Sequence, residues 1–131
     1  MRTHDRDLAD YQLITGDVLR VLAARLARGP FTIVTGGAKG VDSIAEHFAL
    51  SHGLPCIVIE PDYPRWPAKV APIIRNGVIM AEADAVVAWP KRRRGGTDNA
   101  IEWAETWGIP IVVRRPWLHG PAASPVRGRT P

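Results

Sequence analysis

Apolar and polar positions follow one another in blocks that predict a regular succession of helices and strands. The first apolar stripe has helical spacing, begins after Asp10, which can cap it, and ends at Gly29 and Pro30. Its members are Tyr11, Ile14, Val18, Val21, Leu22 and Leu26. Residues 11–15 could instead form a short strand, but the length of the stripe favours a helix.

Short β-branched runs alternate with further helical stripes through the rest of the chain. Strands are predicted over residues 31–35, 56–60, 85–89 and 109–113, and helices after Gly40, from Pro72 and over residues 98–107. Strands that alternate with helices indicate a parallel sheet with right-handed crossovers. The sequence therefore predicts an α/β fold, a three-layer Rossmann-like sandwich with a parallel sheet.

Two glycine loops follow predicted strands and precede predicted helices. The first contains Gly36, Gly37 and Gly40, and the second contains Gly95 and Gly96. Backbone N–H groups at such a turn, together with a helix N-terminus, suit a phosphate or another anion. Glycine lets the backbone approach a ligand closely and permits positive φ.

Each loop also has a simpler interpretation. The first could be a tight turn without a ligand, and the second a helix start capped by Thr97 or Asp98. Loops of this kind emerge at one edge of a parallel sheet, however, so both can face one cleft. That shared edge favours a binding site.

Composition narrows the class of protein. The chain has 131 residues, 46% hydrophobic and 23% charged, with a net charge of +4, which is ordinary for one soluble domain. We expect a domain over residues 1–115 and a disordered Pro/Arg-rich tail over 116–131. No apolar run is long enough for a membrane span and no signal peptide opens the chain, which predicts a cytoplasmic protein without membrane association. Cys56 is predicted to be buried, and no metal or cofactor is expected.

Three motifs occur in the order and rough spacing of the SLOG-type Rossmann-like superfamily. They are Gly-Gly-Ala-Lys-Gly-Val-Asp at 36–42, Arg-Asn at 75–76 and Gly-Gly-Thr at 95–97. The chain resembles this superfamily over about residues 6–113, and most closely a small uncharacterised bacterial and phage branch. Members normally open with a central strand ending in Gly-Ser-Arg, which looks truncated or absent here. Either the chain as given begins late, or another chain completes that edge in a homo-oligomer.

The resemblance to LOG nucleoside-monophosphate phosphoribohydrolases implies an enzyme alternative. Their Pro-Gly-Gly-x-Gly-Thr-x-Glu-Glu segment carries a glutamate that serves N-glycosidic cleavage. Here Thr97 is followed by Asp98, Asn99 and Ala100, so that glutamate is missing. The catalytic residues therefore stay unknown.

The similarity to DNA-processing protein A implies a third class, single-stranded nucleic acid binding. Basic residues 91–94 would suit a phosphate backbone, and Trp66 or Trp89 could stack bases. The interpretation we favour is that the charges are solvated and that the tryptophans at regular spacing, Trp89, Trp103 and Trp107, belong to the core.

The preferred hypothesis is a sensor or binding module for a nucleotide or nucleotide-derived ligand. Gly36, Gly37, Ala38 and Gly40 would supply N–H groups to a phosphate from one side, and Gly95, Gly96 and Thr97 from the other. Lys39 and Arg75 would neutralise charge, while Asp42 and Asn76 would contact sugar or base.

Overall fold

The computed structural model describes residues 3–91 and 96–118, which form four helices and four short strands. The helices are α1 (Thr3–Leu26), α2 (Val41–His52), α3 (Ala71–Glu82) and α4 (Gly96–Trp107). The strands are β1 (Ile33–Thr35), β2 (Cys56–Val58), β3 (Val86–Ala88) and β4 (Ile111–Val113). Element types and order agree with the sequence prediction, and the α/β class is confirmed.

Helix boundaries follow local chemistry. Gly53 ends α2 in the left-handed conformation, with φ of 67°, and its N–H points back to the last carbonyls of the helix. A proline stands in the first turn of α3, where no N–H is needed. The predicted cap at Asp10 is wrong, because α1 begins at Thr3 and Asp10 lies inside it. Charged residues without an apolar stripe continue the helix there, so periodicity alone could not find its start.

All strand pairs are parallel, as predicted, but they form two sheets. Strand β1 pairs with β2, from Ile33 opposite Cys56 to Thr35 opposite Val58. Strand β3 pairs with β4, from Val86 opposite Ile111 to Ala88 opposite Val113. Within the described ranges no strand precedes α1 or joins β1 to β3. The parallel pairing agrees with the prediction, and the strands are divided between two pairs, with residues of β1 and β3 lining one cleft.

Helix α1 supplies side chains to two hydrophobic cores. One contains Ile33, Phe48 and their neighbours, with Leu22 and Leu26 of α1 packed against it. The other contains Ile14 and Val18 of α1 together with Trp89. Helix α1 packs on α2, and α3 packs on α4, so the pairs of helices form the outer layers around the strands.

The predictions for the tryptophans are only partly confirmed. Trp89 is buried as expected, and Trp103 is partly buried against Gly77. Trp107 is wrong as a core residue, since it is 49% exposed at the end of α4. Cys56 is only partly buried rather than a fully buried core residue.

The predicted tail boundary also shifts. Pro116–Leu118 form a short 3-10 helix against α1, and the Trp117 indole donates to the Pro90 carbonyl at 3.2 Å. Ordered structure thus continues past residue 115. Predictions for Gly95, for the basic residues 92–94 and for 119–131 lie outside the described residues.

Candidate functional site

The first glycine loop folds onto the N-terminus of the helix that follows it. Asp42 Oδ2 accepts hydrogen bonds from the N–H groups of Gly36 at 3.0 Å and Ala38 at 3.1 Å. Ser43 Oγ donates to the Ala38 carbonyl at 3.2 Å. Positive φ at Gly37 (72°) and Gly40 (93°) is the reason that glycine is needed at both turns. The loop is therefore preorganised by its own helix.

This geometry changes what the loop can offer an anion. The Gly36 and Ala38 N–H groups, predicted to hold a phosphate, already bond the Asp42 carboxylate, so a phosphate would have to displace it there. The Gly37 N–H makes only a long bond of 3.4 Å to Thr35 Oγ1. The assignment of these donors to a phosphate stays a prediction, with Gly37, Lys39 and Gly40 as the positions that need the least rearrangement.

Arg75 from α3 lies against the same loop. Its Nη1 donates to the Gly36 carbonyl at 2.6 Å, and its Nε donates to Asn76 Oδ1 at 2.9 Å. A Cβ on Gly36 would stand 2.5 Å from Nη1, so only glycine leaves room for the guanidinium. The structure thus brings together two of the sequence motifs, although they lie 39 residues apart.

Asn76 connects this cluster to the start of α4. It is buried, with 8% of its surface exposed, and its Nδ2 donates to Asn99 Oδ1 at 2.9 Å. Asn99 lies in the first turn of the helix that follows the second glycine loop. In the sequence Asn99 stands out only as one of the residues that follow Thr97 where a glutamate is missing. Its place two residues after Thr97 was the signal that could have revealed it.

The second loop is only partly described. Gly96 and Thr97 begin α4, and Gly95 lies outside the described residues. Their predicted phosphate contacts stay predictions. What the structure provides is the Asn76–Asn99 bond, which holds the start of α4 beside the Arg75 cluster.

A cleft of about 510 Å³ opens between the two halves of the fold. The first loop, Arg75 and Asn76 line it on one side, and the end of β3 with Lys91 lines it on the other. Its volume lies in the range of small-molecule sites. Apolar side chains form its interior, namely Ile14, Val34, Pro72, Ile79, Met80, Val86 and Val87. The cleft therefore combines an apolar lining with several polar and charged side chains.

A carboxylate–arginine network lies at the end of β3, and the sequence did not reveal it. Asp17 of α1 is 2% exposed and accepts hydrogen bonds from the Trp89 indole at 2.8 Å and from Arg114 Nη2 at 2.9 Å. Burial alone raises the pKa of Asp17, but bonds from Arg114 and Trp89 together with the charge of Arg114 hold that pKa below its ordinary value. This network fixes α1 to the second sheet.

Other candidate chemistry is weak. Burial, with the charges of Glu46 and Asp42, raises the pKa of the Cys56 thiol, which opposes a reactive thiolate. His52 bonds the Phe48 carbonyl and stacks on its ring, a structural role. The described residues contain no cluster of His, Cys, Asp and Glu suited to a metal. Nor does any helix in that part of the chain have the length and apolar character to cross a membrane.

The parallel α/β fold, the glycine loop at the end of its first strand and the arginine beside that loop define a Rossmann-like protein. The model of the YspA, cpYpsA-related SLOG family matches residues 3–66. Gene 61 protein of Mycobacterium phage D29 is 34% identical over 98 residues, which cover 70% of this chain and 78% of that relative. No solved structure gives a significant match. The chain belongs to this SLOG family, as its motifs predicted, and membership suggests a nucleotide-related ligand in general terms.

Proposed function

We propose that this protein binds a nucleotide or nucleotide-derived ligand in the cleft, as a sensor or binding module. The observation that carries the proposal is the position of Arg75. Its guanidinium is held at the first glycine loop by a neutral carbonyl and a neutral amide, and it forms no ion pair within the described residues. A guanidinium held without a carboxylate retains its charge for an anionic ligand, and planar N–H pairs suit phosphate oxygens.

Lys39 and the apolar interior of the cleft also support nucleotide binding. Lys39 and Lys91 line the same cleft as Arg75, so cations from three parts of the chain border it. Positive charge in a cleft with low-dielectric walls attracts anions more strongly than on a flat surface. The apolar interior beside these cations would accommodate the uncharged part of a nucleotide-derived ligand.

The hydrolase alternative has less support. N-glycosidic cleavage requires a carboxylate near the anomeric carbon to stabilise positive charge or to activate water. Asn99, in the first turn of α4, is a neutral amide whose Oδ1 already accepts a bond from Asn76. The nearest carboxylate in the loop, Asp42, is bonded to two backbone N–H groups. The observations therefore favour binding without cleavage.

A thermal-shift panel tests the proposal with mononucleotides, NAD, ADP-ribose, cyclic nucleotides and a short single-stranded oligonucleotide. A ligand that binds the native state raises Tm by mass action. We expect stabilisation by a nucleotide without turnover on chromatography, and its loss in Arg75→Ala. The matched control is Arg28→Ala, which removes an exposed arginine in the turn after α1.

Three outcomes would contradict this reading. Unchanged nucleotide affinity in Arg75→Ala would place the site elsewhere. Release of free base would establish the hydrolase. Stabilisation only by the oligonucleotide, lost steeply with added salt, would establish nucleic acid binding.

A further inference from the structure

Glu60 lies beside the first glycine loop, at the end of the second strand of its β–α–β unit. Strands β1 and β2 are parallel and joined through α2, and Glu60 follows β2 by two residues. Its Cγ lies 3.4 Å, and its Oε1 3.6 Å, from the place where a Cβ on Gly37 would stand. The carboxylate therefore lies beside the turn at Gly37, whose neighbours Gly36 and Ala38 line the cleft.

In parallel α/β units, a carboxylate at the position of Glu60 can contact a bound ligand. A glycine turn after the first strand places phosphate at the sheet edge, and a carboxylate ending the second strand, about 20 residues on, reaches ribose hydroxyls. Glu60 stands at that separation from Gly40. No hydrogen bond or ion pair engages the Glu60 carboxylate in the part of the chain that the structure describes, so its oxygens can accept from a ligand.

Glu60 also lines a second groove, of about 360 Å³. Glu60, Trp66, Ile74 and Arg75 are among the residues that line it, and Arg75 lines the cleft as well. The arginine therefore stands where the two spaces meet. A ligand with its phosphate at Arg75 and its sugar at Glu60 would extend into this groove.

Trp66 is held in a position that suits a stacked base. Its backbone N–H donates to the Asp62 carbonyl at 3.0 Å, and Asp62 Oδ1 accepts from the backbone N–H of Arg65 at 3.3 Å. Asp62 also pairs with the Arg65 guanidinium at 3.8 Å, so its carboxylate is engaged in the turn. Trp66 is 37% exposed and lines the groove, and an exposed aromatic ring can stack on a nucleobase.

We propose that Glu60 accepts hydrogen bonds from the ribose hydroxyls of the ligand and that Trp66 stacks on its base, which makes the ligand class a ribonucleotide. This inference rests on the proposed function and narrows it. A carboxylate that bonds the 2′-hydroxyl discriminates against 2′-deoxynucleotides, because the deoxy ligand leaves the acceptor without its donor.

Titration calorimetry with pairs of ribo- and 2′-deoxynucleotides of the same base and phosphate number tests the inference. The wild-type protein should bind the ribose form more tightly by about ten- to a hundredfold, the range expected for one hydrogen bond to a charged group. Glu60→Ala should bind both forms with equal, weaker affinity. Glu82→Gln, which alters an exposed carboxylate at the far end of α3, should keep the wild-type preference. Trp66→Leu should weaken both forms and leave their ratio unchanged.

The outcomes separate this inference from the function on which it rests. Equal affinity of wild-type protein for ribose and deoxyribose forms, with binding still lost in Arg75→Ala, would overturn the Glu60 contact and leave nucleotide binding standing. Ribose preference retained in Glu60→Ala would also overturn it. If no nucleotide binds the wild-type protein, both proposals fail.

Discussion

Two arginines join distant parts of this chain, and their partners differ in charge. Arg114 donates to the carboxylate of Asp17, which is almost fully buried and is also bonded by Trp89. Arg75 donates instead to a backbone carbonyl and to an amide oxygen. The first network neutralises its charges internally. The second positions a cation that makes no ion pair with any residue the structure describes, so the contrast separates a structural network from a candidate site.

The largest expected effect comes from breaking the neutralised network. Asp17→Ala leaves the Arg114 guanidinium and the Trp89 N–H without their shared acceptor. Removing one partner of a buried ion pair lowers the free energy of unfolding by about 3–5 kcal/mol. Urea denaturation at neutral pH measures this loss. Asp62→Ala is the matched control, because it breaks an exposed pair with Arg65 and should cost below about 1 kcal/mol. Equal losses would show that the two pairs do not differ as described.

The same network predicts a pH dependence on the acid side. The pKa of Asp17 is lower in the folded than in the unfolded protein, so its stabilising contribution is complete above the unfolded value. That contribution disappears as the pH falls below about 4 towards the folded pKa. The difference in unfolding free energy between wild-type protein and Asp17→Ala should therefore shrink in acid. A constant difference down to the acid transition would contradict the lowered pKa.

Arg75 can be displaced from the loop by a substitution at a different residue, Gly36. Gly36→Ala places a methyl group against Arg75 Nη1, which is the end of a flexible side chain and can swing away. We expect less than about 1 kcal/mol of lost stability, but about tenfold weaker nucleotide binding, the size of one lost charged hydrogen bond. Gly16→Ala provides the control, since its Cβ would meet nothing within 4 Å. It should stabilise α1 by about 0.5–1 kcal/mol and leave affinity unchanged.

A substitution at Asp42 tests whether the carboxylate of this residue lowers the affinity of the loop for anions. Asp42→Asn removes the negative charge of the carboxylate that accepts hydrogen bonds from the Gly36 and Ala38 N–H groups. Anion affinity should rise about threefold to tenfold, as expected for one charge removed near a solvated site. Calorimetry with a mononucleotide and with inorganic phosphate gives the sign. A fall in nucleotide affinity alone would mean that Asp42 contacts the sugar or base, as the sequence analysis suggested.

The smallest expected effect concerns the link between α3 and α4. Asn76→Ala and Asn99→Ala each remove one side of a single neutral hydrogen bond of 2.9 Å. A double-mutant cycle should give a coupling energy of about 0.5–1.5 kcal/mol in stability. Zero coupling would show that the bond does not hold α4 beside the Arg75 cluster.

Local signals made part of this structure predictable. The glycines between a strand and a helix, and the Arg75–Asn76 pair, identified residues that line one side of the cleft. They could be recognised from the sequence because each motif is typical of a particular local structure. The partners of Asp17 could not be inferred, since a carboxylate beside Val18 in a helical stripe does not indicate which distant donors will reach it. The same limit applied to Arg75, whose contact with Gly36 depends on how α3 packs against β1.

The division of the strands into two pairs bears on how the molecule folds. Each ladder closes within one β–α–β segment, β1–α2–β2 or β3–α4–β4, so backbone pairing within the described residues is confined to neighbouring parts of the chain. We expect two cooperative opening units in native-state hydrogen exchange, one for each segment. Helix α1 packs into both cores and would couple them. Truncating Val18, which is fully buried in the second core, should therefore make the amides of β3 and β4 exchange earlier than those of β1 and β2.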